Sequence, residues 1–338
     1  MDVKNKKGFP TPKRSYYKVY VITNTYNQSN YIEDCLNGVL MQETDFPFIH
    51  HVIDDCSSDG EQEVIKRWIE NNCDLRTSEY YDNETCTIIL ASAQKNPNYT
   101  ILAYFLKKNL WKYPQEKDKL YTVWREECAY EALCEGDDYW IHPMKLQQQV
   151  GFLDSQIDYG LVYTGFKIRY RDNFISQSRG GCPEGNVYDR LLLNPSNFVC
   201  TVTTCYRISL FKQVKPYYSQ PYFKMGDLPL WLALSYVTKF KYIKEITSVY
   251  RKTDLSASHF KEYKKTLEFD RNVQEIKLYF AKMYNNTKAK DVLVRRIFQY
   301  DSLIALKEKR YLDSLTGLVK GHGIMKSLLI DFLKHIGK

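Results

Sequence analysis

Residues 17–23 read YKVYVIT and residues 48–53 read FIHHVI, and these two short segments decide the fold class. Both are rich in β-branched and aromatic residues, which is typical of buried strands. Each is followed by a polar stretch and then by apolar residues at helical spacing, in residues 31–40 and 64–69. This repeated order of strand, loop and helix predicts an α/β fold with a mostly parallel central sheet flanked by helices.

Polar residues follow three of the predicted strands, each at the point where the strand ends. They occupy residues 24–27, residues 54–59 and residues 135–138, the last of these after a short predicted strand at residues 130–134. In parallel sheets, ligands bind beyond the carboxyl ends of the strands. The three polar loops are therefore predicted to build one shared site.

The most informative loop is CEGDDYW at residues 134–140, in which Glu135, Asp137 and Asp138 bring three carboxylates close together. Like charges this close need a compensating cation or water, and Mg²⁺ or Mn²⁺ prefers carboxylates combined with phosphate oxygens. For an isolated Asp-Asp pair the alternative is a solvated acidic turn before a helix. The chain has neither G-x-G-x-x-G nor GK[ST], so the dinucleotide-binding and P-loop classes have no support.

The composition is that of an ordinary globular protein, with 338 residues, 44% hydrophobic and 26% charged. No apolar run approaches the roughly 18 residues of a membrane span. Residues 1–15 are basic, lack the apolar stretch of a signal peptide, and are expected to form a loose leader. The nine cysteines show no C-x-x-C spacing, which favours reduced thiols in a cytoplasmic protein.

The excess positive charge lies at the end of the chain. Residues 261–338 hold 17 Lys and Arg against 9 Asp and Glu, whereas the remainder holds 31 of each sign. Residues 260–338 are predicted to be a basic helical extension of a domain at residues 16–259. Such an extension suits an anionic membrane surface or a lipid-linked phosphate, with a solvated helical face as the alternative. A nucleic-acid partner is not expected, because no recognisable module with interleaved aromatics is present.

Several motifs in the expected order resemble the family-2 glycosyltransferases. They are VITNTYN at residues 21–27, IDDCSSDG at residues 53–60, and EGDDYW at residues 135–140 with Pro143 and Lys145. The resemblance runs from about residue 17 to residue 259 and is weak over residues 72–127. It implies the GT-A fold, an α/β domain that binds nucleotide sugars.

The resemblance also implies roles for single residues around the nucleotide. Thr25, Tyr26 and Asn27 match the loop that lines the nucleotide pocket. Asp54 or Asp55 matches the acid that hydrogen-bonds the base, usually uracil.

The acidic loop matches the metal and ribose cluster of the family. Asp138 is the first choice as ligand of the divalent metal, Mn²⁺ or Mg²⁺, and Asp137 is assigned to the ribose or the metal. Glu135 stands where many members have Asp, and its longer side chain still carries a carboxylate.

The general base is expected further along the chain. Asp227 precedes an apolar helical segment and resembles the residue that removes the acceptor proton, with a helix N-cap as the alternative reading. Residues 248–259 resemble the segment that closes over the diphosphate, and within it Arg251, Ser256 and His259 are candidates to bond phosphate oxygens.

Trp140 and Trp231 are candidates to line the acceptor site, because sugars pack on aromatic faces; core packing is the alternative. The resemblance thus implies a metal-dependent, inverting transfer of a sugar from a nucleotide sugar, UDP-linked by preference, to a glycan or lipid-linked acceptor in surface polysaccharide synthesis. The alternative is a non-catalytic subunit that binds nucleotide sugar or acts as a scaffold. The expected location is the cytoplasm, with the inner face of the membrane as an open option.

Overall fold

The structure is a computed structural model, in which the chain forms two compact units. The described residues are 6–12, 16–170, 173–177, 182–195, 197–253, 260, 262–308, 310, 313, 314, 316 and 320. The first unit comprises Met1–Gly185, Phe198–Gln213 and Thr238–Lys252, and the second comprises Asn186–Asn197, Val214–Val237 and Thr253–Lys338. This division differs from the predicted boundary at residue 259, because two short segments that precede it belong with the C-terminal helices.

The first unit is built on one sheet. Its strands are β1 (Lys6–Lys7), β2 (Val19–Thr25), β3 (Phe48–Asp54), β4 (Glu79–Asp82), β5 (Cys86–Ser92), β6 (Tyr99–Leu106), β7 (Tyr130–Leu133), β8 (Tyr139–Trp140), β9 (Tyr159–Tyr170), β10 (Asn173–Gln177), β11 (Cys205–Arg207) and β12 (Lys239–Lys252). The strand order is β1-β4-β5-β6-β3-β2-β7-β11-β9-β12-β8, and β10 pairs with β9.

Helices cover the sheet and make up most of the second unit. They are α1 (Ile32–Leu40), α2 (Glu61–Asn72), α3 (Pro114–Arg125), α4 (Lys145–Ser155), α5 (Tyr188–Leu193), α6 (Ile208–Val214), α7 (Asp227–Val237), α8 (Tyr263–Met283) and α9 (Thr287–Lys307). A 3₁₀ turn occupies Thr201–Thr203.

The centre of the sheet confirms the predicted α/β fold. β6, β3, β2 and β7 lie side by side and are parallel to one another. Antiparallel strands flank this centre, with β4 and β5 on one side and β11 on the other. Residues 72–127, which show little family pattern in the sequence, contain the β4–β5 hairpin, β6 and α3.

Alternating residues of β2 show why this strand lies at the centre of the sheet. Val19 and Val21 face a buried cluster that includes Trp68 of α2, whereas Tyr20 and Ile22 face a cluster with Trp124 of α3. Burying a large apolar side chain stabilises the fold by about 1.5–3 kcal/mol, so both faces hold β2 firmly. The loops at its carboxyl end therefore leave the sheet from a fixed position.

Part of the basic leader is attached to the sheet rather than loose. Lys6–Lys7 form β1, which pairs in parallel with β4, and Lys6 forms an ion pair with Glu79 at 2.6 Å. Residues 1–5 and 13–15 of the predicted leader lie outside the described residues.

The second unit is helical, as predicted for the end of the chain. Leu267 of α8 packs with Tyr300 and Leu303 of α9 in a buried cluster. The Tyr188 hydroxyl of α5 donates to the Phe280 carbonyl at 3.0 Å. Among the described residues, no helix has both the length and the apolar character needed to cross a membrane.

Candidate functional site

The loops after β2 and β3 are fastened together by the buried carboxylate of Glu61. Thr25 donates its hydroxyl to Glu61, whose Oε2 also accepts the Gln28 N–H and the Ser57 hydroxyl, each at 2.9 Å. Burial raises the pKa of Glu61, and these donors act in the opposite direction. Sequence reasoning missed this residue, although an acid in the first turn of α2, directly after a polar loop, is a usable signal.

The same fastening presents Tyr26 to solvent. Asn27 adopts a left-handed backbone with φ of 54°, which Asn tolerates better than most residues. Its N–H donates to the Ser57 hydroxyl at 2.9 Å, and its side-chain oxygen accepts the Ser58 N–H at 2.8 Å. Tyr26 beside it is 50% exposed, so its ring is open to a flat ligand ring.

The two acids at the end of β3 differ in whether their carboxylate oxygens all have partners. Asp55 is buried, its Oδ1 accepts the Leu110 N–H at 2.6 Å, and its Oδ2 pairs with Lys117 at 2.9 Å. Oδ1 of Asp54 accepts the Ser57 N–H at 3.0 Å, but its buried Oδ2 has no hydrogen-bond partner among the described residues. Asp54 is therefore the one of the two acids with an unpaired acceptor atom among the described residues, and that atom is buried.

The acidic loop lies directly against the loop that follows β2. Gly136 donates its N–H to the Asn24 carbonyl at 3.1 Å. A Cβ added at Gly136 would meet Thr25 Oγ1 at 2.3 Å and Gln28 Oε1 at 2.4 Å. Only glycine allows this approach, so the structure brings the first and third predicted loops together as the sequence analysis expected.

Asp137 and Asp138 form a carboxylate pair without an ion-pair partner among the described residues, although the nearby charge of Arg251 acts on Asp137. Asp138 is 3% exposed and its Oδ1 accepts the Arg251 N–H at 2.8 Å. Burial raises the pKa of both acids, and for Asp138 the neighbouring charge of Asp137 adds to the effect. Within the part of the chain that is described, no Lys or Arg forms an ion pair with either one.

The carboxylates of Asp137 and Asp138 fit a hard divalent cation whose remaining ligands come from outside the protein. Among the described residues, no group of three or more His, Cys, Asp or Glu is arranged to hold a metal. Two adjacent carboxylates can supply only part of an octahedral oxygen shell, and phosphate oxygens and water can supply the rest. Glu135 is half-buried on the same loop.

Arg251 faces the protein, which changes its predicted role. Its guanidinium donates to the Asp137 carbonyl at 2.7 Å and to the Asp34 carboxylate at 2.6 Å. The residue is 4% exposed and lies between the rings of Tyr31 and Tyr139. A guanidinium held in this way is not presented to a phosphate, so direct phosphate bonding by Arg251 finds no support in the structure.

The two tryptophans proposed for the acceptor site lie in the interior. Trp140 is 1% exposed and its ring N–H donates to the Val202 carbonyl at 2.9 Å. Trp231 is 0% exposed on α7, a helix whose early residues are almost all buried. Core packing, the alternative weighed from the sequence, is the reading that the structure supports for both.

Three predicted site residues remain, and the structure describes one of them. Asp227 is the half-buried first residue of α7, in the second unit. Ser256 and His259 lie outside the described residues.

Comparison with known proteins finds matches over parts of the chain. The model of the family "Glycosyl transferase family 2" matches residues 20–83. TuaG of Bacillus subtilis (strain 168), described as a teichuronic acid biosynthesis glycosyltransferase, is 24% identical over 269 residues, which cover 78% of this chain and 90% of TuaG. An uncharacterized protein of Mycobacterium tuberculosis (strain ATCC 25618 / H37Rv) is 29% identical over 152 residues, 45% of this chain. The match spans 36% of the mycobacterial protein.

Solved structures share the fold. TarS of S. aureus superposes with a TM-score of 0.52 and 15% identity, covering 89% of this chain and 48% of TarS. TarS residues 1–349, crystallised with UDP-GlcNAc, give a TM-score of 0.51 and 16% identity, with 89% of each chain covered.

The sheet and these structural neighbours place the chain in the GT-A class of α/β folds. Over residues 20–83 the chain resembles the family-2 glycosyltransferases, and over 78% of its length it resembles TuaG.

Proposed function

We propose that this protein transfers a sugar from a UDP-sugar to a glycan or lipid-linked acceptor, with a divalent metal and with inversion at the sugar. The observation that carries the proposal is the contact of the acidic loop with the loop after β2, through Gly136 and Thr25. This contact unites a pocket wall suited to a nucleoside with a carboxylate pair suited to a metal diphosphate.

Each side chain of the site has a role in the proposal. The open ring of Tyr26 stacks on the base, and Asp54 rather than Asp55 accepts a hydrogen bond from it. Thr25 and Asn27 line the pocket. Asp138 binds the metal, and Asp137 holds the metal or the ribose. A divalent metal held by these carboxylates would offset negative charge on the diphosphate leaving group.

Asp227 is the proposed general base. Asp227 is the acidic residue in the first turn of α7, and an ionised carboxylate can accept a proton. An inverting transfer needs such a base for the acceptor hydroxyl. If Asp227→Asn retained turnover within a few-fold of wild type, this assignment would be wrong.

The substrate classes follow from the relatives. UDP is preferred because the TarS neighbour was crystallised with UDP-GlcNAc, and a cell-surface polysaccharide acceptor is preferred because of the description of TuaG. The proposed lipid-linked acceptor is consistent with action in the cytoplasm at the inner face of the membrane, which is the location that we propose. The basic end of the chain is suited to contact that surface.

The test is donor hydrolysis. The purified protein is incubated with UDP-, GDP- and dTDP-sugars, with Mn²⁺ or with EDTA, and the released nucleoside diphosphate is measured. We expect release from a UDP-sugar with Mn²⁺, none with EDTA, and none from Asp138→Ala. If no donor is hydrolysed and UDP with Mn²⁺ does not raise the melting temperature, the non-catalytic scaffold replaces the enzyme as the better reading.

A further inference from the structure

The side chain of Arg251 is held on every face by the protein. Its guanidinium carbon lies 4.7 Å from the centroid of the Tyr31 ring and 4.8 Å from that of Tyr139. An arginine desolvated between two aromatic faces gains cation–π attraction but still needs a carboxylate to balance its charge. Asp34 of α1 supplies it at 2.6 Å.

The other side of Arg251 holds the acidic loop. Its backbone N–H donates to Asp138 Oδ1 at 2.8 Å, and its guanidinium donates to the Asp137 carbonyl at 2.7 Å. The side chain of Asp34 is 51% exposed, whereas that of Arg251 is 5% exposed. One half-exposed acid on α1 therefore pairs with the guanidinium that holds the Asp137 carbonyl, and the backbone N–H of the same arginine holds Asp138.

We propose that Asp34 is a positioning residue, which acts through Arg251 to hold Asp137 and Asp138 ready for the metal diphosphate; this rests on the proposed function. Without Asp34, the guanidinium loses its carboxylate, and Asp137, whose charge already interacts with that of Arg251, is an acid that can replace it. An Arg251 that pairs with Asp137 competes with the cation and pulls the loop from its place.

The chain offers a matched control one residue away. Glu33 is an exposed carboxylate on the same turn of α1. Asp34→Asn and Glu33→Gln each remove one negative charge from that turn, and only the first removes the partner of Arg251. Asp34→Glu restores a carboxylate and serves as the rescue variant.

Two readouts separate this inference from the proposed function. The first is hydrogen–deuterium exchange of residues 134–140 without any ligand, where the Gly136 and Asp138 amides are held by the Asn24 and Glu135 carbonyls. The second is the Mn²⁺ concentration for half-maximal release of UDP from the accepted donor, together with the melting temperature.

We expect Asp34→Asn to speed exchange of the loop severalfold and to raise the half-saturating Mn²⁺ concentration about tenfold, with Asp34→Glu close to wild type and Glu33→Gln unchanged. A melting temperature near that of wild type would show that the metal effect is not general destabilisation. Equal exchange in Asp34→Asn and Glu33→Gln would overturn the positioning role. If exchange rises but the wild-type protein releases no UDP, the positioning role stands and the proposed function fails.

Discussion

Two Asp-Asp dipeptides lie at the same edge of the sheet, and the interactions of their carboxylates differ. Asp54 and Asp55 end β3, and Asp137 and Asp138 follow β7. Asp55 has a cation of its own in Lys117. Among the described residues the second pair has hydrogen-bond donors but no ion-pair partner, and burial raises the pKa of both its members. The same dipeptide is thus largely a structural support in one place and the proposed metal ligand set in the other.

Removing the charge of Asp138 is the change with the largest expected effect. If the proposed function holds, Asp138→Asn should lower UDP release by about 10²–10³-fold, because the substitution removes the carboxylate proposed as the first metal ligand. The free energy of unfolding in urea should stay equal or rise, because the charged carboxyl is disfavoured by burial in the metal-free protein. A large loss of stability would break the comparison, since it would make this pair structural as well.

The matching change in the other pair should act on stability. Asp55→Asn leaves the largely buried Lys117 ammonium without its partner, and breaking a buried ion pair costs about 3–5 kcal/mol. Urea unfolding measures the loss. Adding Lys117→Met to Asp55→Asn should recover part of it, since the double variant no longer buries an unpaired charge. If the double variant were as unstable as the single one, Lys117 would not be the reason.

Lys145 is a buried lysine that, unlike Lys117, has neutral groups as its partners. Its side chain is fully buried, donates to Gln149 Oε1 at 2.8 Å and lies over Trp140. Burial lowers the pKa of Lys145 from 10.5 to about 8. Between these values the folded protein binds fewer protons than the unfolded chain, so this residue makes stability rise with pH there.

The effect of Lys145 on the free energy of unfolding is large enough to be measured against pH. The shift corresponds to about 2–3 kcal/mol gained between pH 8 and pH 10.5. Urea unfolding of wild type and Lys145→Met at both pH values should show the gain only in wild type. The difference between the two proteins is the informative quantity, because buried thiols such as Cys205, with a pKa raised to about 12 by burial, contribute in the opposite direction.

The sequence predicts the strands, the loops and their shared edge, because these depend on local periodicity and on the geometry of parallel sheets. It does not predict which acid receives a cation. Lys117 lies 62 residues from Asp55, and Asp34 lies 217 residues from Arg251, so neither pair leaves a local signal. The resemblance implied that Arg251 touches phosphate, and only the packing around the guanidinium shows that it faces the protein.

The same limit applies to the tryptophans. Trp140 lies two residues after Asp138 in the sequence and was a candidate for the acceptor site. Its ring is instead enclosed by core residues, and Gly38 of α1 approaches its backbone so closely that an added Cβ would lie 2.7 Å from the Trp140 nitrogen. Side-chain direction within a two-residue strand depends on this neighbour, which the sequence does not place.

Two glycines provide the finest test of the contact that unites the loops. Gly136→Ala forces a Cβ to within 2.3 Å of Thr25 Oγ1, whereas a Cβ at Gly151 on α4 meets nothing within 4 Å. Gly136→Ala should therefore weaken binding of UDP with Mn²⁺ about tenfold by shifting the acidic loop, which isothermal titration calorimetry can measure. Gly151→Ala should leave binding unchanged and stabilise the protein by about 0.5–1 kcal/mol, since alanine favours helix interiors. Equal affinities in the two variants would mean that the acidic loop can move away from Thr25 without loss of binding. The difference between the pair at residues 54–55 and the pair at residues 137–138 would then depend on charge alone.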